Sequence, residues 1–164
     1  MNNQELLRLL IGEWSGTGRG EFPTIEPFEY LETISFAGDH RPFLHYEQKT
    51  KRRAMGTGET EYIPSHWESG FLRLLPNGEV ELVNTQSSGR LERLAGSLEK
   101  TAAGLTLRLQ STAFLNDVRM VQTSRTITLE GNSIHYTQNM YTTAVPGPAH
   151  HVEARLTRVL LMQE

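Results

Sequence analysis

From Gly12 onward the chain alternates apolar and polar residues in short stretches cut by turn formers, and no window after the first dozen residues has a helical period. Gly38-Asp39, Gly56-Thr57-Gly58, Pro76-Asn77-Gly78, Ser88-Gly89, Ala103-Gly104, Gly131-Asn132 and Pro146-Gly147-Pro148 fall roughly 8–15 residues apart, the punctuation of an antiparallel meander. Phe28, Tyr30, Glu32, Ile34 and Phe36 share one face of a strand, and Leu44, Tyr46 and Gln48 share a face of the next. Further β-type stretches run near 66–74, 79–86, 89–98, 105–112, 119–129, 133–143 and 151–161. With the stretch that starts at Gly12, about ten strands are predicted. So many strands in one sheet curl or close, and closure removes the exposed edges. The expected fold is all-β, an antiparallel up-and-down barrel. A barrel wider than about eight strands encloses space that side chains do not fill, so a ligand cavity is expected with it. The competing solution is a two-sheet sandwich with a solid core.

The first residues read differently. Leu6, Leu9 and Leu10 fall on one face of a short helix that Asn2 or Asn3 can cap, and Gly12 stands where it would stop. At 164 residues the chain predicts a single domain spanning 1–164. Sixteen Lys and Arg against nineteen Asp and Glu, a net charge of -3, argue against a nucleic-acid footprint. No apolar run approaches a membrane span, and the start carries no basic segment of a secretory signal, so a cytoplasmic protein is expected. The absence of cysteine excludes disulfides, thiolate metal sites and cysteine nucleophiles. The run Lys49-Thr50-Lys51-Arg52-Arg53 reads as a charged turn between strands.

The most unusual stretch is Gly12-Glu13-Trp14-Ser15-Gly16-Thr17-Gly18-Arg19-Gly20-Glu21-Phe22-Pro23-Thr24-Ile25. At period two, Trp14, Gly16, Gly18, Gly20 and Phe22 share one face. Glycine weakens a strand, so three in alternation imply either a sharply coiled strand with Trp14 as a core plug or something bulky pressing on that face. Gly16-Thr17-Gly18-Arg19-Gly20 mimics a phosphate loop, but no helix follows it to hold phosphate.

This stretch, with Pro27-Phe28-Glu29-Tyr30 after it, resembles the signature of the nitrobindins, with Phe22 where many members carry tyrosine. Arg41-Pro42-Phe43-Leu44, His66-Trp67-Glu68-Ser69-Gly70-Phe71 and His151-Val152-Glu153-Ala154-Arg155-Leu156 resemble three further segments of that family, in the same order. The resemblance implies a barrel of calycin type, similar in shape to fatty-acid-binding proteins. It also implies one haem b per chain, ferric, held by a histidine near the C-terminal strand, with peroxynitrite isomerised to nitrate and nitric oxide bound. Its partners would be these small molecules; a homodimer is left open.

Six histidines compete for the iron: His40, His45, His66, His135, His150 and His151. The family register selects His151 over its neighbour His150; adjacent strand residues face opposite sides, so only one of the two points inward. A regular strand that turned His151 inward would turn Glu153 and Arg155 inward too. Either the cavity is polar beyond the haem, or a bulge switches the register after His151. By resemblance His66 is a distal residue, and Thr24 lies at the haem rim. The run 49–53, Lys51 included, offers cations for the propionates. His66 and Glu68 can also pair on one strand face, a weak signal for acid–base work by itself. Two readings compete with a haem enzyme: a carrier of a fatty acid or other apolar molecule, and a haem-based nitric oxide sensor without turnover.

Overall fold

The computed structural model describes residues 1–160. The helix spans Asn3–Leu7 (α1) and continues as a 3₁₀ turn over Arg8–Leu10. Asn2 caps it through a reciprocal pair of hydrogen bonds with Glu5, the capping box, at 2.9 and 2.8 Å. Ten strands follow: β1 Gly12–Phe22, β2 Ile25–Ala37, β3 Phe43–Ala54, β4 Ile63–Leu74, β5 Val80–Gln86, β6 Leu91–Lys100, β7 Gly104–Leu115, β8 Met120–Glu130, β9 Ser133–Thr142 and β10 Ala149–Arg158. Each pairs antiparallel with its sequence neighbours, and β1 pairs with β10 to close the barrel. No free edge remains, which rules out the sandwich. The predicted strand over 151–161 starts earlier and ends at Arg158; residue 161, like the rest of the expected domain to 164, lies outside the described residues. The run 49–53 is not a turn but the second half of β3, paired with β2 from Lys49↔Thr33 to Arg53↔Glu29. Its side chains therefore alternate between the two faces of the wall. No described helix is long and apolar enough to cross a membrane.

The helix plugs one end of the barrel. Leu6, Leu7, Leu10 and Trp14 are at most 2% exposed, and the Trp14 indole donates to the Leu10 carbonyl at 2.9 Å. From this end the inward positions of successive strands supply an apolar layer that includes Ile34, Leu44, Leu72, Leu82, Leu94, Leu107, Leu129, Ile134 and Leu156.

The glycine face of β1 points inward, and the rings of β2 lie over it. A Cβ on Gly18 would overlap the Tyr30 ring, and one on Gly20 the Phe28 ring, the cross-strand partners of those glycines. Gly16 meets backbone instead, at Arg155 of β10. Bulky rings thus press on the glycine face, and Trp14 at its helix end is buried as a core plug. Gly12, at φ +138°, makes the turn from the helical segment into β1.

Candidate functional site

Away from the helix the same inward positions become polar. Glu32, Glu68, Asn84, Gln86, Glu92, Thr123 and Arg125 are all 8% exposed or less. They form two networks. Arg125 bridges two carboxylates, reaching Glu68 at 2.8 Å and Glu92 at 2.7 Å. Tyr46 donates to Glu68, Thr123 donates to Glu92, and Asn84 reaches Glu92 at 3.2 Å. In the second network Tyr136 donates its hydroxyl to Glu32 and shares a 2.8 Å hydrogen bond with Tyr30, while Gln48 donates to Glu32 at 3.1 Å.

The two glutamates differ in charge. Burial raises the Glu32 carboxyl to about 8 against the hydrogen bonds of Tyr136 and Gln48, because no cation touches it. Burial acts on Glu68 in the same direction, but Arg125 and His66 outweigh it and hold that carboxyl well below the usual range. Glu32 is therefore largely protonated at neutral pH, whereas Glu68 is an anion.

Above these networks lies a cavity of about 210 Å³ lined by Phe28, Tyr30, Arg52, Ser65, His66, Arg90, His151 and Val152 among others. Bulges aim both histidines into it. Between His150 and Val152 the pairing of β10 with β9 shifts register, leaving His151 as the extra residue. Both His151 and Val152 then line the cavity, and Ala154 and Leu156 continue the inward face while Glu153 and Arg155 are exposed. Of the two alternatives for the closing strand, the register switch is the one the chain adopts. A second shift, where Lys49 and Lys51 pair with Trp67 and Pro64, puts consecutive Ser65 and His66 in the lining. Re-aiming a side chain is what a bulge does beside a site.

The environment of His151 is specific. Its Nδ1 lies 3.0 Å from the Glu21 carbonyl, which can only accept, so Nδ1 carries the hydrogen and Nε2 keeps its lone pair. Phe22 and Phe28 flank the ring, with centroids 5.8 and 6.4 Å away. Burial disfavours the imidazolium, and the Arg90 guanidinium adds to that; against the Glu21 hydrogen bond they hold His151 below the ordinary histidine value. The ring is neutral at physiological pH, as a metal ligand must be.

Other expected residues fall differently. His150 is exposed. Thr24 is exposed in the β1–β2 turn, beside the lining residue Ile25. Lys51 is exposed on the outer face of β3, with Lys49 beside it 4.2 Å over the Trp67 ring. Strand alternation gives the cavity Thr50 and Arg52 from that run instead, and Arg52 leans over Phe28 at 5.5 Å. The motif residues Gly12, Trp14, Gly16 and Gly18 shape the wall, and none of the four lines this cavity. Missed altogether were Arg90, in the β5–β6 turn and paired with Asp117 at 3.4 Å, and the buried Arg125. Arg125 had a signal: it shares the alternation of Thr123, Ile127 and Leu129, so a charge stands at an inward position. Arg90 had none, since a turn has no period.

Residues 3–158 match the model of the family described as the THAP4-like, heme-binding beta-barrel domain. Among curated proteins, the chain is 37% identical over 161 residues to peroxynitrite isomerase 2 of Mycobacterium ulcerans, covering 94% of this chain and 93% of the relative. It is 33% identical over 144 residues to peroxynitrite isomerase 1 of Mycolicibacterium paratuberculosis, covering 86% of each. Among solved structures, Rv2717c from M. tuberculosis superposes with a TM-score of 0.83 at 32% identity over 95% of this chain and 96% of that one. The S-type phycobiliprotein lyase CPES of Guillardia theta shares the fold alone, at TM-score 0.66 and 11% identity over 99% and 95% of the two chains.

Proposed function

The chain belongs to the THAP4-like heme-binding β-barrel domains, the nitrobindin family, and is a haem-binding barrel; from that premise we propose that His151 is the axial ligand of one haem b and that the loaded protein isomerises peroxynitrite to nitrate. The observation that carries the assignment is the His151 bulge. It supplies a neutral, half-buried imidazole with Nδ1 tied to the Glu21 carbonyl and Nε2 free. A backbone carbonyl on the far nitrogen is the usual way a protein orients a ligating histidine.

The surroundings suit a porphyrin. Phe22, Phe28, Ile25 and Val152 give apolar contact beside the ligand, and Arg52 and Arg90 give cations at the same cavity for two propionates, a role Lys51 cannot take from the outer face. Thr24 at the neighbouring turn is within the rim in this reading. When bound, haem supplies a ferric Lewis acid, open to nitric oxide as well. The protein's own part is to hold the ligand nitrogen, keep water from it with the two phenylalanines, and border the reacting volume with His66. The charged floor of Glu68, Glu92 and Arg125 speaks against an acyl-chain carrier.

Titration of the full chain with hemin tests the ligand. A Soret band should develop with one equivalent. His151→Ala should weaken hemin binding at least about 100-fold, more than loss of an outer partner costs, with an unchanged melting temperature. His150→Ala should do neither. A Soret band lost in His150→Ala and kept in His151→Ala would overturn the assignment. Stopped-flow decay of peroxynitrite tests the activity: equal rates with and without hemin would leave a sensor and remove the enzyme.

A further inference from the structure

His66 and Glu68 stand two apart on β4 and project from one face. His66 Nε2 lies 2.9 Å from Glu68 Oε1. Everything else that touches this carboxylate is a donor: Arg125 gives Nη1 to Oε2 at 2.8 Å and Nη2 to Oε1 at 3.3 Å, and Tyr46 gives its hydroxyl to Oε2. Arg125 is itself fixed from behind by Glu92 at 2.7 Å. An ionised carboxylate only accepts, so the hydrogen between the two residues sits on Nε2. In the neutral imidazole the other nitrogen is then a bare lone pair, and Nδ1 has no hydrogen-bond partner among the described residues. With a side chain 35% exposed in the cavity wall, His66 is accessible to a bound molecule.

We infer that Glu68 is a positioning residue for His66, fixing the Nε2–H tautomer so that the ring offers an acceptor at Nδ1, and not an N–H, to whatever enters the cavity. A neutral His66 of this kind accepts a hydrogen bond from a ligand that carries a proton, such as water or a peroxy acid. It gives no hydrogen bond to the corresponding anion. Discrimination would thus favour the protonated form of a peroxy substrate. That role rests on the haem and peroxynitrite reading above; the tautomer does not.

Long-range ¹⁵N–¹H correlation spectra of the full chain without hemin, at a pH where the ring is neutral, test the tautomer, with the His66 signals assigned by their loss in His66→Ala. The expected result is a protonated Nε2 and a pyridine-like Nδ1; the reverse pattern overturns the inference. Glu68→Gln is the second arm. Its amide oxygen would stay with Arg125 Nη1 and Tyr46, turning the NH₂ toward His66 Nε2 and forcing the hydrogen to Nδ1. The hemin-loaded variant should then bind fluoride about three- to tenfold tighter than wild type, the effect of one new hydrogen bond. An unchanged tautomer and unchanged fluoride affinity in Glu68→Gln overturn the inference. If that variant does not fold, the wild-type spectrum alone decides it. A wild-type chain that takes up no hemin overturns the haem reading, while the spectrum still decides the tautomer.

Discussion

Along β2 the inward residues run from Phe28 and Tyr30 at the cavity, through Glu32, to Ile34 and Phe36 under the helix, and most strands repeat that gradient. Near the helix a Leu-rich layer interdigitates around Trp14, whereas toward the cavity the same geometric positions hold three glutamates, an arginine and hydrogen-bonding tyrosines. Apolar packing is tolerant of substitution if volume is kept. A buried polar network is not, because a missing partner strands a charge. Both ends therefore contribute to the stability of the barrel, and the cavity end alone also carries its specificity.

Substitutions at the two ends should separate these contributions. Arg125→Leu leaves Glu68 and Glu92 buried without their cation and should cost about 3–5 kcal/mol by denaturant unfolding. Adding Glu68→Gln and Glu92→Gln to it should restore most of that loss. If Arg125→Leu alone costs nothing, the buried charges of the polar half do not depend on one another. Trp14→Ala at the other end should cost a similar amount, about 3–5 kcal/mol, through the cavity it opens. The ends then differ in the second readout: hemin uptake per folded molecule should survive Trp14→Ala and suffer in Arg125→Leu.

Glu32 sharpens the contrast through pH. Its carboxyl titrates near about 8 in the folded chain against 4.5 for the free group. The folded state therefore keeps a proton that the unfolded state releases. The stability this contributes is full below the unfolded value and is lost as pH rises through the folded one. Each tenfold difference in proton affinity between the two states is worth about 1.4 kcal/mol. Glu32→Gln should therefore be on the order of a few kcal/mol more stable than wild type at about pH 9. Near about pH 4, below the unfolded value, the two should melt alike. Parallel pH–stability curves for the two proteins would show that Glu32 ionises freely.

The smallest effect is expected at the boundary between the halves. Gly18→Ala pushes a methyl into the Tyr30 ring, whose hydroxyl is tied to Tyr136, and should cost about 1–3 kcal/mol. A fully stable Gly18→Ala chain would mean that the Tyr30 ring and the Glu153 carbonyl, 2.7 Å from the added carbon, both give way freely and the β1 glycines do not shape the cavity wall.

Much of this was legible before folding. Period two grouped Phe28 to Phe36 on one face of β2, the face the structure turns inward, and the turn formers set the strand count, because both signals are local in the chain. The glycine alternation announced bulk on the inner face, and the rings proved to be Tyr30 and Phe28. The charged run of β3 misled, since five consecutive polar residues hide an alternation that gives Arg52 to the cavity and Lys51 to solvent.

The residues alone determined an all-β chain of about ten strands, for which a closed barrel was the expected solution, and the family resemblance added a histidine near the last strand. Which way that histidine points was decided only in three dimensions. The bulges at His151 and beside His66 arise from the register between two strands, and register is a property of the pair, set by closure of the whole barrel. Arg125 likewise meets Glu68 across 57 residues of chain and Glu92 across 33. No local pattern encodes that convergence. It follows from the order in which ten strands close on one another.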